Sequence, residues 1–204
     1  MGLGRFLSQG VHVEDPPLAR ALFANTGAAW FWLIVRVYVG YAWFDAGLHK
    51  VTDPAWAFGD GKAILAYWTR AVAIPAAPAR PPITYDWYRG FLQFLIDNQT
   101  HTWFGGLIAW GELLIGVGLI LGALVGIAAF FGALMNMSFL LAGTVSTNPV
   151  LFFLGIGLML AWKVAGHYGL DRVLLPMLGT PWHTHSVATD QVSAPRIGQV
   201  PRTV

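Results

Sequence analysis

The stretch WFGGLIAWGELLIGVGLILGAL, residues 103–124, decides the fold. It is an unbroken run of apolar and small residues, and its one ionisable side chain is Glu112. At about 1.5 Å per helical residue, such a run crosses a hydrocarbon core of about 30 Å. Three further stretches of the same kind lie at 28–48, 127–145 and 150–168. The reading is an all-α, integral membrane four-helix bundle. Composition agrees: 56% of the 204 residues are hydrophobic and only 11% are charged, where a soluble chain carries about 25% charge. Trp30, Trp32, Trp103 and Tyr168 stand at the ends of these stretches, where an aromatic belt is expected.

The chain divides around the four stretches. Residues 1–27 form a polar arm with no apolar signal-peptide core, and Asn25-Thr26 is placed to cap the first span. The spans occupy a membrane domain over 28–182, and a Ser/Thr/Pro/Gln-rich tail at 183–204 is expected to be flexible. The connection at 50–102 is too long for a turn. It holds two short amphipathic helix candidates, Lys62–Val72 and Asp86–Asn98, separated by the Pro-rich run at 75–82. In the second, Trp87, Phe91, Phe94 and Leu95 share a stripe. These helices either lie on the membrane surface and cap the bundle or act as a lid. Short links at 122–126 and 143–149 make the last three spans antiparallel neighbours, and Gly118, Gly122 and Gly126 form a small-residue stripe that suits close packing.

Ionisable side chains in lipid are costly unless paired, so the few present become the functional candidates. Arg36, Glu112 and Asn136 each lie about nine or ten residues into their spans, which sets them at matched depth. An Arg36–Glu112 midplane pair with Asn136 as a hydrogen-bonding neighbour is expected, either fixing helix register or carrying a proton. A second group gathers where the first span ends: Asp45, His49 and Lys50, with Trp56 as a roof and Asn148 opening the fourth span on the same side. This group reads as an interfacial pocket for a quinone head or a small anion, against the plainer reading in which Lys50 snorkels to the headgroups. Lys163, Asp171 and Arg172 are taken as structural polar residues at the opposite surface.

Several chemistries have no anchor. There are no cysteines, which excludes thiolate and cysteine-ligated iron–sulfur chemistry within this chain. His49 and His167 end antiparallel spans on opposite sides, so no haem is expected, and no metal site is read. Net charge is +2 without a basic run, so nucleic acid is not an expected partner.

Taken together, Arg36, Gly40, the run Asp45–Lys50, Asp53-Pro54, Trp56, Gly111-Glu112-Leu113, Gly116, the run Leu119–Gly122, Gly143, the run Ser146–Pro149, the run Lys163–Gly166 and the run Gly169–Arg172 resemble the DoxX/DoxD family of membrane proteins. The similarity extends over about 28–182. It implies a four-helix membrane subunit, in some relatives the DoxD subunit of thiosulfate:quinone oxidoreductase, in the prokaryotic cytoplasmic membrane with cytoplasmic termini. Under that resemblance Arg36 and Glu112 handle charge or protons, and Asp45, His49, Lys50, Trp56 and Asn148 bind the ligand. No counterpart of the companion DoxA-like portion follows residue 182. The expected partners are lipid, quinone, and other membrane or peripheral redox subunits or further copies of the chain. A non-catalytic anchor or assembly subunit is the competing expectation.

Overall fold

A computed structural model describes residues 14–180, and its fold is all-helical. The expected flexible tail at 183–204 and the start of the polar arm lie outside the described residues. Nine α-helices and no strand occur among the described residues: α1 (Pro17–Phe23), α2 (Ala29–Thr52), α3 (Lys62–Val72), α4 (Asp86–Asp97), α5 (His101–Leu121), α6 (Val125–Leu141), α7 (Asn148–Leu160), α8 (Trp162–Ala165) and α9 (Asp171–Met177). Asn25 accepts the Gly27 N–H at 2.8 Å and caps the 3-10 turn that leads into α2. Asp53 accepts the Ala55 N–H at 3.0 Å, and Pro54 ends that helix.

The helix bounds depart from the expected spans. α2 runs on to Thr52, and the fourth stretch is not one helix, because it stops at Leu160, turns at Ala161 and resumes as the single turn α8. Apolar composition does not distinguish a helix from a buried turn, so the sequence carried no signal for this break. Among the described residues, α5 alone is long and apolar enough to cross a membrane by itself; Pro17–Phe23 and Thr26–Thr52 qualify only together and are bent by 58°, while α6 and α7 are shorter apolar helices.

The most extensive packing is between antiparallel α2 and α5, followed by α6 against α7. Glycines bring the first pair close. A Cβ on Gly47 would stand 2.3 Å from the Leu113 backbone nitrogen, and one on Gly116 would stand 2.3 Å from that of Phe44. The expected stripe at 118, 122 and 126 does not form this contact: a Cβ on Gly118 would meet only ordinary neighbours, Gly122 is the left-handed end of α5, and Gly126 faces Trp162. Trp32, Val39, Trp43, Leu119, Val125 and Leu158 fill the core between the long helices.

α3 and α4 close one end of this bundle. Ile64, Trp68, Tyr88, Leu92 and Leu95 form a second core with Ile108 of α5 and Ala142 after α6. Of the expected α4 stripe, Leu95 is the buried member. Trp87, Phe91 and Phe94 are exposed, and the buried stripe is Tyr88, Leu92 and Leu95. The two stripes are adjacent and both apolar, so periodicity alone cannot choose between them. The Tyr88 hydroxyl, donating to the Ser138 carbonyl at 2.8 Å, fixes the choice. Burial pushes the Tyr88 phenol up to about 12.

Two outcomes follow from this packing. Gly116→Ala should lower stability by roughly 1–3 kcal/mol through overpacking. Gly90→Ala, at an exposed site with open space around it, should be neutral or raise stability by up to about 1 kcal/mol; thermal unfolding in detergent compares them. In the unfolded chain the Tyr88 phenol ionises near its ordinary 10, below the folded value. Its contribution is therefore complete below about pH 10 and lost as pH rises toward about 12. Tyr88→Phe should show a shallower alkaline decline in unfolding midpoint than the wild type.

Candidate functional site

Where α2 ends, its close crossing with α5 continues into a polar contact. Lys50 lies one turn beyond Gly47, and its Nζ donates to Glu112 Oε2 at 2.5 Å. Glu112 is 1% exposed, while the Lys50 side chain keeps 22%. The ammonium therefore turns inward onto the carboxylate instead of snorkelling. It also lies 5.3 Å from the centre of the Trp56 ring, a cation–π distance.

This pair borders a cavity of about 320 Å³. Trp43 and Ala46 of α2, Phe139 of α6 and Leu151 of α7 supply apolar wall, and Trp56 and Tyr67 come from the long connection. The turn between α6 and α7 closes another side with Thr144, Ser146, Thr147 and Asn148. Tyr67 and Thr144 share a hydroxyl–hydroxyl hydrogen bond of 2.9 Å, which ties α3 to that turn. Asn148 donates to the Thr144 carbonyl at 3.0 Å and holds the turn's shape. Asn136 also lines the cavity. It is 1% exposed, and neither of its side-chain polar atoms has a hydrogen-bond partner.

The ligand group expected from sequence is thus partly assembled. Lys50, Trp56 and Asn148 meet at one cavity, joined by Glu112 and Asn136. Asp45 and His49 do not. Their side chains are 54% and 77% exposed, and they face away from the cavity, where His49 Nδ1 bonds the Asp45 carbonyl oxygen at 2.8 Å. The shared helical face of Asp45 and His49 was legible from their spacing; that Lys50 sits on a different face is what separates it from them. Tyr67, Phe139 and Thr144 were missed. The tyrosine on the amphipathic Lys62–Val72 segment and the hydroxyl-rich turn were the available signals.

The midplane pair is a correction. Arg36 does not meet Glu112. Matched residue counts from the helix ends do not mean matched depth, because the ends are not level and α5 starts well beyond the end of α2. The register that sets Gly47 against Leu113 and Phe44 against Gly116 brings Arg36 beside Gly122. Gly47, whose neighbour is Glu112, lies eleven residues further along α2, about 16 Å away.

Arg36 belongs to a separate knot at the other end of the bundle. It is 1% exposed and donates to the Tyr168 carbonyl at 3.1 Å. Gly122 and Gly169 leave the guanidinium its room, since a Cβ on either would fall 1.5 or 2.4 Å from Nη1. Asp171, fully buried, attracts the guanidinium. Its two carboxylate oxygens also accept the Leu124 and Val125 N–H groups at 2.6 and 2.9 Å, capping the start of α6. The Asp171 N–H donates to the Gly122 carbonyl at 2.8 Å. Lys163 and Arg172 are exposed rather than built into the packing, with Lys163 near the Trp162 ring at 5.8 Å. Asn136, expected as a structural polar residue that hydrogen-bonds the midplane pair, has no hydrogen-bond partner at either side-chain polar atom and lines the cavity wall.

Among the described residues no group of three or more His, Asp or Glu is arranged to hold a metal ion. No family model, no curated protein and no solved structure matches the chain.

The site predicts its own couplings. Lys50→Gln and Glu112→Gln should be strongly non-additive, since breaking a buried ion pair costs about 3–5 kcal/mol. Arg36→Gln and Glu112→Gln should add within about 0.5 kcal/mol, as separated sites do. Double-mutant cycles on unfolding midpoints in detergent distinguish the two patterns.

Proposed function

We propose that the chain is a four-span integral membrane protein of DoxX/DoxD type that binds a quinone head in the Lys50–Glu112 cavity, as the membrane subunit of a quinone-linked oxidoreductase. The observation that carries the site is that cavity, where a buried acid–base pair is set among aromatic side chains. Support for lipid as the solvent comes from the distribution of side chains. Residues 30, 34, 38 and 41 on α2, 103, 107, 110 and 114 on α5, 127, 130, 134 and 137 on α6, and 150, 153, 156 and 160 on α7 are exposed and apolar. They recur at helical spacing, so each long helix turns an oily face outward, while Arg36, Glu112, Asn136 and Asp171 are inside. α6 and α7 span only about 26 and 20 Å, which a locally thinned bilayer accommodates.

The cavity residues fit a quinone. A volume of about 320 Å³ lies at the small end of ligand pockets, which run about 300–1,000 Å³. Trp43, Trp56 and Phe139 offer flat apolar walls, and Lys50 and Glu112 offer a proton next to them. Reducing a quinone to the quinol takes two electrons and two protons. Lys50 and Glu112 are placed to deliver a proton to a head-group oxygen and to be reprotonated from the exposed side of Lys50. Because Glu112 already compensates the Lys50 charge, a neutral ring suits this cavity better than a sulfur oxyanion. A cysteine-free chain leaves oxidation of a donor such as thiosulfate, two of which yield tetrathionate and two electrons, to a partner subunit.

A second reading, a non-catalytic anchor or assembly subunit, draws on the exposed Trp87, Phe91 and Phe94 of α4 as a docking stripe. Extraction in mild detergent from native membranes separates the two readings. Quinone should co-purify, and Lys50→Met should lower its occupancy about tenfold or more, on the scale of one charge-assisted hydrogen bond. Protein that is stable, retains its partners and carries no quinone would favour the anchor. Recovery of the chain in the carbonate-soluble fraction would end the membrane reading.

A further inference from the structure

Lys50, Glu112, Tyr67, Thr144 and Asn148 all have hydrogen-bond partners within the protein. Asn136 has none, although it is 1% exposed and lines the same cavity. A buried carboxamide without partners is expensive, since each unsatisfied group costs about 1–3 kcal/mol. What would satisfy it is constrained by its chemistry. A primary amide presents an acceptor and a donor side by side. A carbonyl on a ligand accepts the N–H and leaves the amide oxygen empty. A hydroxyl answers both, donating its proton to the oxygen and accepting from the nitrogen.

We infer that Asn136 is the head-group contact of this cavity and that it selects the hydroxyl-bearing, reduced form of the bound quinone over the carbonyl form. This rests on the quinone reading above and adds a direction to it. A site that holds the quinol more tightly than the quinone raises the midpoint potential of the bound couple. Each tenfold preference is worth about 30 mV for a two-electron couple. The cavity is then biased toward accepting electrons from a weakly reducing donor, with the two protons needed for quinol formation entering beside the Lys50–Glu112 pair.

The full chain in lipid nanodiscs, titrated with duroquinol under anaerobic conditions and separately with duroquinone, tests this. The expected result is about tenfold tighter binding of duroquinol, the worth of one additional hydrogen bond. Asn136→Leu should abolish the preference while duroquinone still binds. The wild-type ratio needs no variant, so it decides even where Asn136→Leu does not fold. Equal affinity for the two forms, or a preference that survives in Asn136→Leu, overturns the assignment of Asn136 and leaves the quinone site standing. Failure of both probes to bind overturns the quinone site itself.

Discussion

The close crossing of α2 over α5 is the constraint on which the rest of the molecule depends. With no side chain at Gly47 or Gly116, the two backbones approach until a single added carbon would overlap a main-chain nitrogen. That contact fixes the register of two antiparallel helices. Register then decides which polar groups meet. One turn past Gly47 it sets Lys50 on Glu112, and toward the other end it delivers Arg36 to Gly122 and the chain around residues 168–171. The polar interior is thus a product of backbone proximity.

The two polar centres differ in kind. Around Arg36, the Tyr168 carbonyl, a carboxylate and two glycines surround one guanidinium, and the Asp171 carboxylate both attracts that charge and caps the start of α6. Leu124, Val125 and Asp171 also border a cavity, of about 390 Å³, but both Asp171 carboxylate oxygens are engaged by backbone N–H groups. Around Lys50, the ion pair is equally buried on its carboxylate side, yet it borders open volume and an amide with no partner. Both centres keep buried polar atoms without a hydrogen-bond partner, Arg36 Nε and Nη1 at one and the Asn136 amide at the other. Asn136 lines the cavity beside Lys50, whereas Arg36 is not among the residues that line the one beside Asp171.

The helical class was legible because long apolar runs with few breakers leave little else. Four polar side chains were legible for the same reason: Arg36, Glu112, Asn136 and Asp171 stand out against an apolar background, and all four are buried. Their pairing was not. Distance along a helix is readable from residue number, but the offset between helices depends on where each one starts and on glycine contacts that no single sequence reveals. The face that α4 buries was not legible either, since residues 87, 91 and 94 and residues 88, 92 and 95 are both apolar stripes. The Tyr88–Ser138 bond that decides between them joins positions fifty residues apart.

The Asp171 cap carries a consequence for how the chain is made. Leu124 and Val125 begin α6, but the carboxylate that receives their N–H groups follows Leu124 by 47 residues. A ribosome emits the α5–α6 hairpin first, and until the later acid arrives those two donors have only water or a passing chaperone to satisfy them. The hairpin is therefore provisional during synthesis. Its final seating is a late event, locked by the same residue that attracts Arg36, so that the finished state of the first long helix, the hairpin and the carboxyl-terminal segment is reached together rather than in order of translation.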